Sequence, residues 1–190
     1  MPEKLPILRI AVIGPESTGK STLCKGLAEH FNTLFAPEFA RDYMANLHRK
    51  YTESDVLYCI AEQINLETSL IKNANNYFFS DTENIMAKVW MEDVYNYYPD
   101  WIEKAIQQKP YDLYLLCNTD LPFENDPVRE NPLRREFFFL WYESELKKRK
   151  LPYAIIKGSG PDRLVNAINI IHNFFDNPSG RHNEPIHQNQ

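Results

Sequence analysis

The residues best suited to chemistry form one stretch, residues 14–21, which reads GPESTGKS. It has the pattern G-x-x-x-x-G-K-S of a phosphate-binding loop (P-loop), in which backbone N–H groups surround phosphate oxygens that no Cβ keeps away. Lys20 is expected to reach the β- and γ-phosphates of a nucleotide, and the Ser21 hydroxyl is expected to bind Mg²⁺. The sequence therefore predicts a site for ATP and Mg²⁺. The residues assigned to it are Gly14, Glu16, Ser17, Thr18, Gly19, Lys20, Ser21 and Thr22.

Two acidic residues follow later strand-like runs. Glu38 comes just after the short run 33–36, and Asp81 ends the run 77–81. Ligands bind at the carboxyl edge of an open parallel sheet, so both carboxylates are candidates for work on a substrate. Asp81 is our first choice for orienting or deprotonating an acceptor hydroxyl, or for supporting Mg²⁺ together with Ser21. Glu38 is the second choice and is also a candidate for binding ribose hydroxyls.

Other roles stay open for these residues at this stage. Asp81 can instead be the N-cap of the following helix. Glu38 and Arg41 are three residues apart on one helical face, where they either contact the substrate or form an ion pair on the surface. Trp90 either stacks on a base or fills the core.

A polar segment, residues 121–136, contains three prolines and three arginines and predicts a lid. Such a loop can close over a nucleotide and bring the charge of an arginine such as Arg129 to the moving phosphoryl group. The alternative is an exposed loop with solvated arginines. Residues 158–163 form a glycine-containing turn after the last strand-like run, and we assign Arg163 to the nucleotide site because such a turn can line an adenine pocket.

Five strand-like runs alternate with helical segments, which predicts an α/β, three-layer P-loop NTPase fold of the nucleoside- or nucleotide-kinase kind. The five-stranded parallel sheet is expected to consist of residues 7–13, 33–36, 77–81, 111–117 and 152–157. Residues 1–176 are predicted to form the kinase domain. The polar residues 177–190 are predicted to form a disordered tail.

Composition limits the partners. The 190 residues are 43% hydrophobic and carry a net charge of −5, which suits one domain with a core and argues against a broad nucleic-acid surface. No apolar run is long enough to span a bilayer, the first residues lack a secretory pattern, and the three cysteines lack ligand spacing. We therefore expect a cytoplasmic protein with buried, reduced thiols, a small-molecule nucleoside substrate, and no zinc site, nucleic acid or membrane partner. The oligomeric state stays open.

The later motifs distinguish among P-loop classes. The N-K-x-D pattern of a GTPase is absent, because residues 118–120 read NTD, and no D-x-x-G follows Asp81. The chain is also short for a motor. Acids after the second and third strands, together with a lid that carries arginines, fit a small-molecule kinase best.

Four motifs in this order resemble the ribosylnicotinamide kinase domain of the NadR proteins over about residues 8–175. They are GPESTGKS at 14–21, PEFAR at 37–41, SDTE at 80–83 followed by KVW at 88–90, and DPVR at 126–129. The resemblance implies transfer of the γ-phosphoryl group of ATP to the 5′-hydroxyl of nicotinamide riboside, which gives nicotinamide mononucleotide. The chain lacks the adenylyltransferase and DNA-binding parts of full NadR proteins and is expected to stand alone.

The resemblance also implies roles for individual residues. Lys20 and Ser21 would hold phosphate and Mg²⁺, and Asp81 would act at the acceptor hydroxyl or the metal. The remaining matches are Glu38 and Arg41 in the substrate-side motif and Arg129 as the lid arginine. The chain differs from the family pattern at two positions, with Glu83 where an Asp is usual and Pro37 where an aromatic residue precedes the Glu.

Two other functions stay open. The protein can be a kinase for another nucleoside or nucleotide, with the same P-loop and lid but a different acceptor pocket. It can also be a nucleotide-sensing module that binds ATP, hydrolyses it slowly and has no phosphoryl acceptor. The sequence does not decide between ATP and GTP as the donor.

Overall fold

Five strands and seven α-helices alternate along residues 6–108, 110–124 and 133–176, the part of the chain that a computed structural model describes. A short 3-10 turn, Ile71–Asn73, follows the third α-helix. In chain order the elements are β1 (Leu8–Ile13), α1 (Lys20–His30), β2 (Leu34–Ala36), α2 (Phe39–Ala45), α3 (Glu53–Leu70), β3 (Tyr77–Asp81), α4 (Asn84–Tyr95), α5 (Asp100–Gln108), β4 (Leu113–Cys117), α6 (Arg135–Lys148), β5 (Tyr153–Ile156) and α7 (Gly160–Asp176).

The strands form one parallel sheet in the order β2-β3-β1-β4-β5, which confirms the predicted five-stranded parallel sheet. The first strand lies at the centre, where Val12 pairs with Asp81 and Ile13 pairs with Leu116. Because all five strands run in one direction, the segments that follow them meet at the same edge of the sheet. This edge therefore collects the P-loop and both predicted carboxylates.

The side chains of β1 alternate between two apolar layers, as expected for a strand buried on both faces. Ile10 and Val12 pack with α1 and α7, whereas Ala11 and Ile13 pack with α3, α4 and α6. The three-layer prediction is thereby confirmed. All three cysteines are free and buried, as predicted. Within the described residues, no helix has both the length and the apolar character needed to cross a bilayer.

The starts of two helices are defined by their capping residues. Thr52 and Asp55 form a capping box at the beginning of α3. The helix that follows β2 begins at Phe39, with Glu38 as its N-cap. The N-cap position keeps the backbone of Glu38 extended, at φ −66° and ψ 107°.

A buried polar network fixes the end of β3 against α3. Glu67, which is 7% exposed, accepts hydrogen bonds from Ser80 Oγ at 2.7 Å, from the Tyr111 hydroxyl at 2.5 Å and from Arg9 Nη2 at 3.3 Å. A buried carboxylate is tolerated when donors surround it in this way. Since Ser80 immediately precedes Asp81, the network also fixes the backbone that carries the Asp81 carboxylate.

We expect Tyr111→Phe to lower the free energy of unfolding by about 1–3 kcal/mol, because a buried carboxylate loses a donor while the ring is kept. Urea denaturation at neutral pH measures this change. Tyr97→Phe is the matched control, since the exposed Tyr97 hydroxyl bonds Glu53 near the surface. The control should change the unfolding free energy by less than about 0.5 kcal/mol. Equal effects in the two variants would contradict a stabilising role for the network.

Candidate active site

The predicted P-loop is closed tightly against the end of β4. A Cβ added to Gly14 would lie 2.8 Å from the backbone oxygen of Cys117, so no larger residue fits there. Gly14 and Gly19 have φ values of 143° and 73°, which glycine adopts most readily. Helix α1 begins at Lys20, directly after the loop. The N-terminus of this helix therefore lies at the carboxyl edge of the sheet, where its free N–H groups suit an anion.

One backbone carbonyl organises the inside of the loop. The Pro15 oxygen accepts from Thr18 Oγ1 at 2.8 Å and from Lys20 Nζ at 2.9 Å. Burial raises the pKa of both Glu38 and Asp81, and the positive charge of Lys20 opposes that rise. Lys20 thus contacts the loop and acts electrostatically on both carboxylates.

Asp81, the last residue of β3, lies against the first turn of α1. Its side chain is 1% exposed and hydrogen-bonded to Ser21, and its Oδ1 has no hydrogen-bond partner among the described residues. Burial raises the pKa of Asp81, and Lys20 and Ser21 act in the opposite direction. A carboxylate oxygen beside a hydroxyl is a donor pair that Mg²⁺ accepts when phosphate oxygens supply other ligands. The residues therefore fit the predicted metal.

The alternative that Asp81 caps the following helix is wrong. Glu83 is the N-cap of α4, and its carboxylate accepts from the backbone N–H groups of Ile85 at 2.9 Å and Met86 at 3.2 Å. Burial raises the pKa of Glu83 to about 8. The position at which the NadR pattern usually has Asp therefore carries a capping residue in this chain.

Thr82 lies between these two acids in a backbone conformation that β-branched residues rarely adopt. Its φ is 83°, and its N–H donates to the Val12 oxygen at 3.2 Å. Its Oγ1 is buried and has no hydrogen-bond partner within the described part of the chain. Backbone strain of this kind persists where the surroundings enforce it, often at functional sites.

A cavity of about 1730 Å³ joins the P-loop to the space beside α2, α3 and α4. The nucleotide-site residues that the sequence predicts all line it, namely Gly14, Glu16, Ser17, Thr18, Gly19, Lys20, Ser21, Thr22 and Arg163. Glu38, Arg41 and Trp90 of the predicted substrate side line the same cavity. Asp81 is not among the residues that line the cavity, and its carboxylate is hydrogen-bonded to Ser21.

Glu38 is the carboxylate that borders the cavity on the acceptor side. Burial raises its pKa, and the charges of Lys20 and Arg41 partly oppose this, while those of Asp81 and Glu16 add to it. A carboxylate whose pKa is raised becomes a better proton acceptor. Glu38 therefore stays a candidate for the residue that orients or deprotonates the acceptor hydroxyl.

Trp90 packs against the core, as one of its two alternatives predicts, and its stacking on a base stays a prediction. It is half-buried, packs against the apolar layer beside α3 and α4, and also lines the cavity. Its ring meets that of Tyr51 edge to face at 5.8 Å between centroids. The two rings together form an aromatic wall on the acceptor side.

Arg163 anchors the P-loop by hydrogen-bonding its backbone. It is 4% exposed and donates to the carbonyl oxygens of Thr18 at 3.0 Å, Asn118 at 3.2 Å and Gly158 at 2.7 Å, and to the Asp120 carboxylate at 2.8 Å. These bonds tie the loop to the ends of β4 and β5. Direct contact between Arg163 and a nucleotide stays a prediction.

The predicted lid arginine, Arg129, lies outside the described residues. The described part of the lid contacts the P-loop through another arginine, because Arg135 Nη2 donates to the carbonyl oxygens of Ser17 at 3.0 Å and Leu121 at 2.8 Å. Glu124 N also donates to Ser17 Oγ at 3.2 Å. The ends of the predicted lid are thus fastened to the loop that they are expected to cover.

Some polar residues around the cavity received no functional role from the sequence. Arg135 carried a usable signal, since it stands where the arginine-containing segment enters a helix. Gln63 carried a weaker one, because it is a polar residue on the buried face of the amphipathic helix α3. The unusual backbone of Thr82 has no signal in the sequence, since only its neighbours in space enforce it.

The sequence matches the AAA domain family over residues 9–163. The trifunctional NAD biosynthesis/regulator protein NadR of Salmonella typhimurium is 26% identical over 170 residues, and that of Escherichia coli is 30% identical over 173 residues. Each match covers 85% of this chain and 41% of the relative, so the chain spans less than half the length of these proteins. The resemblance to NadR proteins is confirmed.

Solved structures show the same fold. A crystal structure of NadR protein in complex with NR has a TM-score of 0.74 at 24% identity, covering 96% of this chain and 54% of that one. NadR protein in complex with NAD and AMP-PNP has a TM-score of 0.71 at 22% identity, covering 88% and 49%. Thymidylate kinase from Ehrlichia chaffeensis has a TM-score of 0.59 at 15% identity, covering 87% and 100%. The predicted P-loop kinase fold is confirmed.

We expect Arg163→Met to destabilise the protein in the absence of nucleotide by about 2–3 kcal/mol, because three carbonyls and the Asp120 carboxylate lose a donor. Urea denaturation without ATP measures this change. Arg41→Met, which removes a half-buried arginine of the same cavity, is the control and should cost about 1 kcal/mol or less. Unchanged stability of Arg163→Met would contradict the anchoring role and would favour a ligand contact alone.

Proposed function

This chain is a member of the AAA domain family, and we propose that it is an ATP-dependent kinase that phosphorylates the 5′-hydroxyl of nicotinamide riboside. The product would be nicotinamide mononucleotide. The fold is that of P-loop kinases, and the similarity to NadR proteins supports a nucleoside kinase-like function in NAD metabolism.

The observation that carries the proposal is the position of Glu38 in the wall of the cavity that also contains the P-loop. A kinase must hold an acceptor hydroxyl in line with the γ-phosphorus of ATP and must remove a proton from that hydroxyl. The P-loop and Lys20 can hold the phosphates. The Glu38 carboxylate, with its raised pKa and its proximity to the charge of Lys20, can orient the hydroxyl and accept its proton.

The sequence suggests Asp81 first and Glu38 second as the residue that acts on the acceptor hydroxyl. The geometry favours Glu38 for this role. Asp81 is bonded to Ser21 and lies outside the cavity wall, so its carboxylate is better placed for the metal than for the acceptor. Ser21 and Asp81 are the residues that would hold Mg²⁺, whose charge neutralises the phosphate oxygens when it is bound. In the reaction, the acceptor oxygen bonds to the γ-phosphorus, the bond to the β-γ bridging oxygen breaks, and the proton passes to Glu38.

The acceptor side also suits a cationic ring. Nicotinamide riboside carries a positive charge on its pyridinium, and such a cation is attracted by aromatic faces and by nearby carboxylates. Trp90 and Tyr51 supply aromatic surface in the cavity, and Glu38 and Glu16 supply negative charge. A neutral nucleoside would gain less from this arrangement. The similarity to thymidylate kinase keeps another nucleoside or nucleotide as the alternative acceptor.

We expect purified protein with ATP and Mg²⁺ to form ADP only when nicotinamide riboside is present. The coupled assay should be repeated with thymidine, uridine, cytidine and thymidine monophosphate as comparison acceptors. Phosphorylation of one of these compounds, but not of nicotinamide riboside, would overturn the choice of substrate. ADP formation that is independent of every acceptor would instead support a nucleotide-sensing module.

Two variants separate the roles of the carboxylates. Glu38→Gln should lower kcat by about 100-fold or more with little change in the KM for ATP, because the proton acceptor is lost. Asp81→Asn should raise the concentration of Mg²⁺ needed for half-maximal rate, because a ligand oxygen is lost. Rates measured over a Mg²⁺ titration check both variants. If Asp81→Asn lowered kcat and Glu38→Gln changed the Mg²⁺ requirement, Asp81 would instead be the residue that acts on the acceptor hydroxyl.

A further inference from the structure

We propose that Gln63 selects the acceptor nucleoside by donating a hydrogen bond from its amide nitrogen to an oxygen of that molecule. The inference rests on the proposed kinase function and deepens it, because it names a residue and a contact that the substrate must satisfy. Gln63 lies on α3, beside the carboxylate that we place at the acceptor hydroxyl.

The orientation of the Gln63 amide is set by the protein. Gln63 Oε1 accepts from the backbone N–H of Phe39 at 2.8 Å. Only the oxygen of an amide can accept such a bond, so the other terminal atom is the nitrogen, with two N–H donors. Because Phe39 directly follows Glu38, this bond joins Gln63 to the segment that carries Glu38, and both residues line the cavity.

The nitrogen itself has no protein partner. Gln63 is 8% exposed, and its Nε2 is buried without a hydrogen-bond partner among the described residues. An unpaired buried donor costs about 1–3 kcal/mol, so it is uncommon unless a ligand or ordered water satisfies it. Gln63 is among the residues that line the cavity, so the unpaired donor lies next to the space that an acceptor would fill.

A second group in the same wall has the same property. Thr82 Oγ1 is buried and unpartnered within the described part of the chain, and Thr82 lines the cavity with a φ of 83°. Asp81 Oδ1 is also unpartnered within the described part of the chain, but the Asp81 carboxylate is bonded to Ser21 and Asp81 does not line the cavity. The neutral polar groups without partners therefore occur where the acceptor is expected.

The chemistry of the Gln63 donor limits the groups of a ligand that can bind it. An amide N–H pairs with an oxygen acceptor, and nicotinamide riboside offers the carboxamide oxygen and the ribose hydroxyls. Cys59, Ile60 and Met86 surround this part of the cavity with apolar groups. A site that is built to hydrogen-bond a substrate in such surroundings rejects an analogue that lacks the oxygen, because its own donor is then left unpaired.

The decisive variant is Gln63→Glu. It keeps an oxygen for the Phe39 N–H and replaces the donor by a second acceptor, whereas Gln63→Met removes both groups. We expect Gln63→Glu to raise the KM for nicotinamide riboside by about tenfold, while the KM for ATP stays close to that of the parent. Gln63→Met should raise the same KM and also lower Tm. The added negative charge would attract a cationic acceptor, so it does not explain a higher KM.

Substrate analogues identify the oxygen. One analogue is the pyridinium riboside without its carboxamide, and the other is nicotinamide riboside without the ribose 2′-hydroxyl. With the parent protein, kcat/KM should be about tenfold lower for the analogue that lacks the oxygen bound by Gln63 than for nicotinamide riboside. With Gln63→Glu, kcat/KM should differ little between that analogue and nicotinamide riboside. Gln108→Glu, on the exposed end of α5, controls for added charge.

An unchanged KM in Gln63→Glu would overturn the inference and assign Gln63 to capping α2 alone. The inference would also be overturned if each analogue lowered kcat/KM by the same factor in Gln63→Glu as in the parent protein. If the parent protein does not phosphorylate nicotinamide riboside, the proposed function fails first. The same variants are then measured with the nucleoside that the acceptor screen identifies, and if no nucleoside is accepted the inference falls too.

Discussion

The close approach of the P-loop to the end of β4 is the contact on which the rest of the structure depends. At Gly14 the loop lies so near the Cys117 oxygen that a Cβ would clash at 2.8 Å. Arg163 holds the same loop from behind through the Thr18 carbonyl. The loop must therefore follow one path, and α1 must begin where its N–H groups face the carboxyl edge of the sheet.

The two carboxylates at this edge differ because their surroundings differ. Asp81 ends a central strand, is almost fully buried and is paired with Ser21, whereas Glu38 lies at a helix start in the cavity wall. Burial raises the pKa of each, and Lys20 opposes that rise in both. One lysine thus acts on both carboxylates, and the difference in their surroundings underlies our proposal that Asp81 serves the metal and Glu38 the substrate.

Much of this arrangement could be predicted from the sequence, because strong local patterns specify it. The apolar run before residue 14 and the glycines at 14 and 19 predict a strand, a P-loop and a helix, and the structure has all three. The N-cap of α4 was harder to predict, because Asp81 and Glu83 are both suitable capping residues and the structure uses Glu83. Gln63 carried only a weak sequence signal and Thr82 carried none, because long-range packing is what leaves a polar atom of each residue buried without a partner among the described residues.

The central claim is that the γ-phosphoryl group passes to a nucleoside hydroxyl rather than to water. The most direct test is to run the reaction with ATP and nicotinamide riboside in ¹⁸O-enriched water and to analyse the products by mass spectrometry. The account predicts a phosphorylated nucleoside without solvent ¹⁸O and little inorganic phosphate. Inorganic phosphate carrying solvent ¹⁸O, formed at the same rate with and without the nucleoside, would contradict it.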